Sequence, residues 1–213
     1  MKVFSSWSGG KECTLATYKA MAAGHEVLRL VNFIREDGLR SRSHGVRAEV
    51  LALQAEALGI PIVQTGTTWE DYEATFKRVV GELKEQGIEA GVFGDIDLEE
   101  HREWVERVCC ELGIQALLPL WKMERQDVIG QFLGAGFKAL VVATRLSKQV
   151  AGSFFDQALV ERMAAMGADP CGEQGEYHTL VTAGPLFERA LKVTPVQVEE
   201  REGMWFADLT AEL

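Results

Sequence analysis

Short apolar segments alternate with longer helical ones along the first half of this 213-residue chain, and this alternation most constrains its fold. Segments rich in β-forming residues predict strands, and each is followed by apolar residues that recur at helical spacing. Short turns between such strands and helices are typical of a parallel sheet covered by helices on both faces. The prediction is therefore an α/β fold, a doubly wound parallel sheet over residues 1–118. The predicted strands are Lys2–Trp7, Val27–Phe33, Ile62–Thr65, Gly91–Phe93 and Ile114–Leu118.

The pattern changes after Pro119, where the remaining residues predict a smaller C-terminal α+β lobe over 119–213. Helices are expected over Glu124–Leu133 and Gln157–Met166, with a strand over Ala139–Ala143 between them. From Cys171 onward glycine, proline and β-forming residues dominate. No flexible linker separates the two parts, so the sequence does not mark this boundary sharply.

Composition and sequence patterns argue against nucleic-acid binding, a membrane span and export. The chain has 32 acidic and 22 basic side chains, a formal net charge of -10, which argues against duplex DNA or bulk RNA as a ligand. No apolar run approaches the ~18 residues of a membrane span. The first residues lack the pattern of a signal peptide, and the four cysteines form no CxxC motif. We expect a cytoplasmic protein with reduced thiols.

The segment Ser8-Gly9-Gly10-Lys11 leaves the first strand and opens the first helix. Two glycines let the backbone approach an oxyanion closely, and a helix N-terminus offers unpaired N–H groups. Ser8 adds a hydroxyl donor and Lys11 a cation, so the segment predicts a phosphate cradle. Its spacing matches neither GxxxxGK[ST] nor GxGxxG. The alternative is a tight turn in which Ser8 caps the helix.

Other polar residues follow strands at the same sheet edge, where parallel sheets bind ligands. His44 precedes a helix and is a candidate for nucleotide contact, and an exposed capping histidine is the alternative. Asp95 follows the fourth strand and is predicted to hold Mg²⁺ beside phosphates, although it could instead cap the next helix. Arg102 is a candidate anion contact, and an ordinary surface arginine is as consistent with the sequence.

A polar cluster in the second lobe runs from Asp169 to Leu180. Its two carboxylates, Glu173 and Glu176, could bind ammonium or act as a base, and a polar surface turn is the alternative. Cys13 or Cys171 would be needed for a sulfur-transfer reaction. Burial of Cys13 as a small helix residue is the simpler interpretation.

The Ser8–Lys11 loop resembles the SGGxDS motif of the PP-loop ATP pyrophosphatases. With Gly94-Asp95-Ile96, Pro119-Leu120-Trp121 and the string from Cys171 to Thr179, the whole chain resembles the diphthine–ammonia ligase family. The resemblance implies that ATP activates the carboxylate of diphthine, a modified histidine of elongation factor 2. Ammonia would then displace AMP to give the amide. Glu12 and Cys13 stand where the family has Asp and Ser, so one pyrophosphate contact is expected to be poorer.

The resemblance also implies roles for individual residues. ATP and Mg²⁺ are the implied cofactors, with ammonium and elongation factor 2 as further partners, and a homodimer is left open. The catalytic candidates are Lys11, Glu173 and Glu176. The candidates for ATP and phosphate binding are Ser6, Ser8, Gly9, Gly10, Lys11, Asn32, His44, Gly94 and Asp95, the last also for the metal. The candidates for substrate binding are Arg102, Gly172, Glu173, Gly175, Glu176, Tyr177 and His178. Two alternatives stay open: an adenylating enzyme for RNA modification or sulfur transfer, and an ATP-binding sensor without turnover.

Overall fold

The first five strands form one parallel sheet in the computed structural model, which describes all residues from 1 to 213. Its strand order is β3-β2-β1-β4-β5, and every neighbouring pair is parallel. The predicted doubly wound α/β fold is confirmed, with strand ends within one or two residues of prediction. The strands are β1 (Lys2–Ser6), β2 (Glu26–Ile34), β3 (Ile62–Gly66), β4 (Ala90–Val92) and β5 (Gln115–Leu117).

Helices cover both faces of this sheet because its strands are apolar on both sides. Val3 and Phe4 are adjacent in β1 and both fully buried, yet they belong to different core clusters. Side chains alternate across a strand, so each of the two meets its own layer of helices. Phe4 packs with residues of α3 and α4, and Val3 with residues of α1. The helices are α1 (Lys11–Ala22), α2 (Ala48–Ala57), α3 (Tyr72–Glu85) and α4 (Glu99–Leu112).

The second lobe contains an antiparallel sheet in the order β7-β6-β9-β8. The predicted α+β character is confirmed, including the two helices and the first strand. The elements are α5 (Arg125–Gly134), β6 (Lys138–Thr144), α6 (Gln157–Ala165), β7 (Tyr177–Ala183), β8 (Lys192–Arg201) and β9 (Met204–Glu212). A bilayer-spanning helix is absent: none of the six helices combines the required length and apolarity.

The two lobes share one hydrophobic core. Its largest cluster joins Trp7 and Leu15 of the first lobe to Phe132, Phe137 and Tyr177 of the second. The backbone is joined as well, because the Val181 N–H donates to the Gly9 carbonyl over 2.9 Å. The boundary between residues 118 and 119 therefore stays a prediction, since no break in packing marks it.

The topology opens a crevice at the carboxyl edge of the parallel sheet. From β1 the chain adds β2 and β3 on one side and then crosses to add β4 and β5 on the other. Loops that leave β1 and β4 diverge at such a switch point, where α/β sheets bind ligands. The segment before β7 closes the crevice from the second lobe.

Candidate active site

A cavity of about 420 Å³ occupies this crevice. The loops after β1, β2, β3 and β4 line it together with the segment from Cys171 to His178. Eleven of the residues predicted to form the site are in its wall: Ser6, Ser8, Asn32, His44, Gly94, Asp95, Gly172, Glu173, Gly175, Tyr177 and His178. Five lie outside the wall: Gly9, Gly10, Lys11, Arg102 and Glu176.

The loop between β1 and α1 presents backbone donors to this cavity. The N-cap of helix α1 is Gly10, and no side chain caps the helix, so Ser8 does not cap it. The Gly10 N–H reaches the Ser8 hydroxyl at 3.4 Å, and the Lys11 N–H donates to the Thr179 hydroxyl at 3.1 Å. Unpaired N–H groups at the positive end of a helix favour an anion. Four backbone N–H groups here donate to no protein oxygen, those of Ser8, Gly9, Glu12 and Cys13.

The glycines of this region permit close packing. A Cβ atom on Gly10 would lie 2.6 Å from the His44 ring, and one on Gly9 2.5 Å from the Leu51 side chain. Gly9 also has φ of +82°, which disfavours other residues. A Cβ atom on Gly94 would lie 2.8 Å from the Cys13 nitrogen. Glycine therefore lets the loop after β4 touch the first turn of α1.

Lys11 is buried between the lobes and is not in the cavity wall. Its Nζ donates to the Cys171 carbonyl at 2.6 Å and lies 2.6 Å from a Glu12 carboxylate oxygen. The ammonium also lies 4.4 Å from the centre of the Tyr177 ring. Burial, the largest single influence, lowers the pKa of Lys11, but the charge and hydrogen bond of Glu12 together with Tyr177 and Cys171 outweigh it, so the pKa is raised. Lys11 therefore stays charged and fastens α1 to the second lobe.

The two glutamates of the second lobe have different surroundings. Glu173 faces the cavity, where burial and then the Glu12 charge raise its pKa to about 7. A carboxyl group of that pKa exchanges protons readily near neutral pH. Glu176 instead accepts N–H groups of Asp169 at 2.9 Å and Gln174 at 3.0 Å. Glu176 therefore shapes the loop that carries Glu173.

Two histidines form one wall of the cavity. The ring of His44 stacks on that of His178, with centroids 4.5 Å apart and planes inclined by 21°. The His44 Nδ1 lies 3.1 Å from the Thr179 carbonyl. Burial lowers the pKa of His178 to about 4, with further lowering by Lys11 and Arg145. Burial and then His178 lower the pKa of His44 well below its usual range. Both rings are neutral at pH 7.

The aspartates after β4 do not cap helix α4, whose N-cap is Leu98. Asp95 lies in the cavity wall, and its carboxylate is 3.1 Å from Nδ1 of His101. This hydrogen bond raises the pKa of His101. Asp97 pairs with Arg125 at 2.6 Å, away from the cavity wall. The capping alternative for Asp95 is therefore not observed.

Side chains of the protein alone form no cluster of three or more metal ligands. Mg²⁺ in nucleotide sites commonly uses one or two carboxylates and takes its other ligands from phosphates and water. The Asp95 carboxylate in the cavity wall fits that kind of partial site. Its role as a metal ligand stays a prediction.

Arg102 lies on the outer surface of α4. Its guanidinium pairs with Glu99 and lies 5.1 Å from the centre of the Trp121 ring. These contacts match the surface-arginine alternative, and the role of Arg102 in substrate binding stays a prediction.

The cysteines are free and poorly suited to sulfur chemistry. Burial raises the pKa of the Cys13 thiol, against hydrogen bonds from Ser8 that lower it. Burial also raises the pKa of Cys171 to about 12. The reactive form of a cysteine is the thiolate, which is disfavoured at both positions.

Several wall residues were absent from the predicted set. Arg42 donates to the Thr67 carbonyl at 2.6 Å, and its guanidinium lies 4.5 Å from the centre of the Trp69 ring. Arg42 and Trp69 lie on loops after β2 and β3, at the sheet edge where the sequence predicts ligand binding, but the sequence does not give the direction of a side chain on a loop. The other such residues with polar or aromatic side chains are Trp7, Glu12, Cys13, Phe33, Ser43, Tyr72, His101 and Cys171.

Comparison with known proteins gives a consistent family. Residues 1–116 match the profile described as the diphthamide synthase N-terminal domain, and residues 124–211 match its C-terminal domain. Relatives named diphthine–ammonia ligase include those of Schizosaccharomyces pombe, Bos taurus and Homo sapiens, at 28%, 27% and 26% identity. The alignments cover 94%, 97% and 93% of this chain. They cover 37% of the yeast protein, 88% of the bovine one and 85% of the human one.

A solved structure of a tRNA methyltransferase subunit from Methanocaldococcus jannaschii is also similar. It is 15% identical and superposes with a TM-score of 0.47, over 87% of this chain and 98% of that one. Similarity at this level carries no argument about function.

Proposed function

The chain belongs to the diphthamide synthase family, and from this premise we propose that it is an ATP-dependent, AMP-forming carbon–nitrogen ligase. It would adenylate a carboxylate, release pyrophosphate and exchange AMP for ammonia. The acceptor we propose is diphthine on elongation factor 2. One observation carries the proposal: backbone N–H groups of the turn after β1 that donate to no protein oxygen and the Glu173 carboxyl group lie at the same cavity.

The first step needs a place for the triphosphate. The turn from Ser8 to Cys13 offers N–H groups and the positive end of α1, which stabilise negative charge on phosphate oxygens. Such fixed dipoles favour the charge that develops on pyrophosphate as it leaves. The acceptor carboxylate attacks the α-phosphorus, and the bond between the α- and β-phosphates breaks. Mg²⁺, if held by Asp95 and the phosphates, supplies further charge neutralisation.

The second step needs free ammonia, because ammonium has no lone pair. Glu173, with a pKa of about 7, is suited to accept a proton from ammonium in the cavity. The nitrogen lone pair then attacks the acyl carbon of the adenylate. The bond from that carbon to the AMP oxygen breaks, and AMP leaves with the electron pair. The nitrogen still carries three hydrogens when AMP has left, and it releases one proton to solvent to give the neutral amide. Glu173 releases its own proton to solvent before the next turnover.

The second lobe would supply the acceptor contacts through residues 172–178. Its aromatic and histidine side chains border the same cavity as Glu173. Glu176 would contribute indirectly, because its carboxylate holds the loop that carries Glu173. The cytoplasmic location and a homodimeric state stay predictions.

The decisive experiment identifies the nucleotide products. Purified protein, ATP, Mg²⁺, ammonium and diphthine-bearing elongation factor 2 should give AMP and pyrophosphate together with the amidated factor. ADP as product would contradict the proposal. Formation of AMP without the amide would support the adenylation step but contradict diphthine as the acceptor.

A matched pair of variants links the products to the cavity. Glu173→Gln removes the proton acceptor and should abolish amide formation. Glu161→Gln changes an exposed glutamate on α6 and should leave it unchanged. Equal activity of both variants would remove Glu173 from the mechanism.

A further inference from the structure

A second depression lies beside the cavity and is rich in arginine. It has a volume of about 280 Å³, and Glu202 is the only acidic residue in its wall. This composition is unusual in a chain with a net charge of -10. We call it the arginine groove, after the guanidinium groups of Arg35, Arg40, Arg42, Arg145 and Arg201.

The groove is continuous with the cavity. Arg42 and Ser43 line both, so a ligand that fills the cavity can extend into the groove. Arg145 stands at the same junction, because a Cβ atom on Gly175 would lie 3.9 Å from its Nη1. Gly175 is itself part of the cavity wall.

The arginines at this junction lack the carboxylate partners that the others have. Arg40 pairs with Asp208 at 2.9 Å, and Arg201 pairs with Glu199. Arg145 is exposed, and its side chain makes no hydrogen bond or ion pair. Arg42 has no carboxylate partner, and its buried Nε has no hydrogen-bond acceptor. Two guanidinium groups therefore face the junction with unused donors.

Guanidinium groups bind carboxylate and phosphate in paired hydrogen bonds, and unpaired ones seek such an anion. We propose that the arginine groove is a subsite for an oxyanion group of the acceptor, a carboxylate or a phosphate. This group is distinct from the carboxylate that is activated. The inference rests on the proposed function, since it assumes that an acceptor enters the cavity. It predicts that the acceptor protein carries a second negative charge on a residue near the one that reacts.

Binding to the protein without turnover tests the groove. Tripolyphosphate and a hexaglutamate peptide serve as probes of the two oxyanion chemistries, measured by calorimetry in protein saturated with ATP. At least one probe should bind, and the Arg145→Ala substitution should lower the affinity for that probe about tenfold. The probe whose affinity falls more in Arg145→Ala shows whether the subsite prefers phosphate or carboxylate. Arg162→Ala is the matched control, because Arg162 is also exposed and unpaired but lies on α6. It should change affinity less than twofold.

Two results would overturn the inference: no binding of either probe to the ATP-saturated protein, or equal losses of affinity in both variants. Arg145→Gln retains much of the side-chain length and serves if the alanine variant folds poorly. The assay is independent of the ligase reaction. If the protein forms AMP but binds neither probe, only the proposed oxyanion subsite is rejected. If it binds a probe but forms no AMP, only the proposed ligase activity is rejected.

Discussion

The imidazole of His44 lies flat against that of His178, and this contact joins the loop after β2 to strand β7. Two rings stacked at 4.5 Å cannot both be protonated without repulsion. Burial and the neighbouring Lys11 and Arg145 also disfavour the charged form of His178. Between pH 4 and pH 6.5, His178 of the folded state therefore binds fewer protons than His178 of the unfolded chain.

We predict that stability falls as pH is lowered from about 6.5 towards 4. Unfolded His178 has its usual pKa of 6.5 and folded His178 one of about 4, so between these values the unfolded state binds more protons. The loss should be roughly 1–3 kcal/mol and should be smaller in His178→Gln. Urea unfolding at pH 7 and pH 5 measures it.

Glu173 titrates with the opposite sign in an overlapping range. Its raised pKa adds stability below about 4.5, and this is lost as pH rises through about 7. The test therefore compares the pH dependence of the unfolding free energy in wild type and in His178→Gln. Glu173 is present in both proteins, so its contribution cancels in the difference. His25→Gln, outside the cavity, is the control and should keep the wild-type slope. An unchanged slope in His178→Gln would contradict the prediction.

Lys11→Met should destabilise the protein by roughly 3 kcal/mol, because removal of a buried ammonium leaves its partners unpaired. Those partners are the Cys171 carbonyl and the Glu12 carboxylate. The surface variant Lys19→Met on the same helix should cost under about 0.5 kcal/mol. Urea unfolding and ATP binding are measured together. Wild-type stability with lost ATP affinity would instead show that the Lys11 ammonium serves the phosphates.

Gly94→Ala should weaken ATP binding, because its Cβ atom would lie 2.8 Å from the Cys13 nitrogen and push the loop after β4 away from α1. The expected cost in stability is about 1–3 kcal/mol. Gly130→Ala in α5 is the control, since a Cβ atom there meets nothing within 4 Å. It should stabilise by about 0.5–1 kcal/mol. Equal ATP affinity in both variants would show that this contact does not shape the nucleotide site.

The rate of amide formation should rise with pH through about 7, where Glu173 loses its proton and becomes able to accept one. Glu173→Gln should be inactive at every pH, whereas Glu173→Asp should retain a low rate with a similar profile. Rates are measured at saturating ammonium, from pH 6 to 8.5. A profile that is flat across pH 7 in wild type would remove Glu173 as the proton acceptor.

Much of this site follows from position along the chain. Ser8, Asn32 and Asp95 each lie at or just beyond the carboxyl end of a strand, and parallel strands bring those ends to one edge. Alternating β-forming and helical segments predict the sheet and therefore the edge. The sequence patterns could not distinguish Glu173, which faces the cavity, from Glu176, which binds backbone N–H groups. The two residues are three apart in an irregular loop, where no periodicity gives the direction of a side chain.

The sequence by itself determined the order of strands and helices along the chain, the glycine-containing turn between β1 and α1, and the edge at which a ligand is predicted to bind. These features depend on local preferences and on the short-range pattern of apolar residues. Only the tertiary structure decided that Lys11 spans the lobes, that His44 meets His178 and that unpaired arginines border the cavity. The first two are contacts between residues more than 100 positions apart, and the packing of one lobe on the other sets their distance and burial.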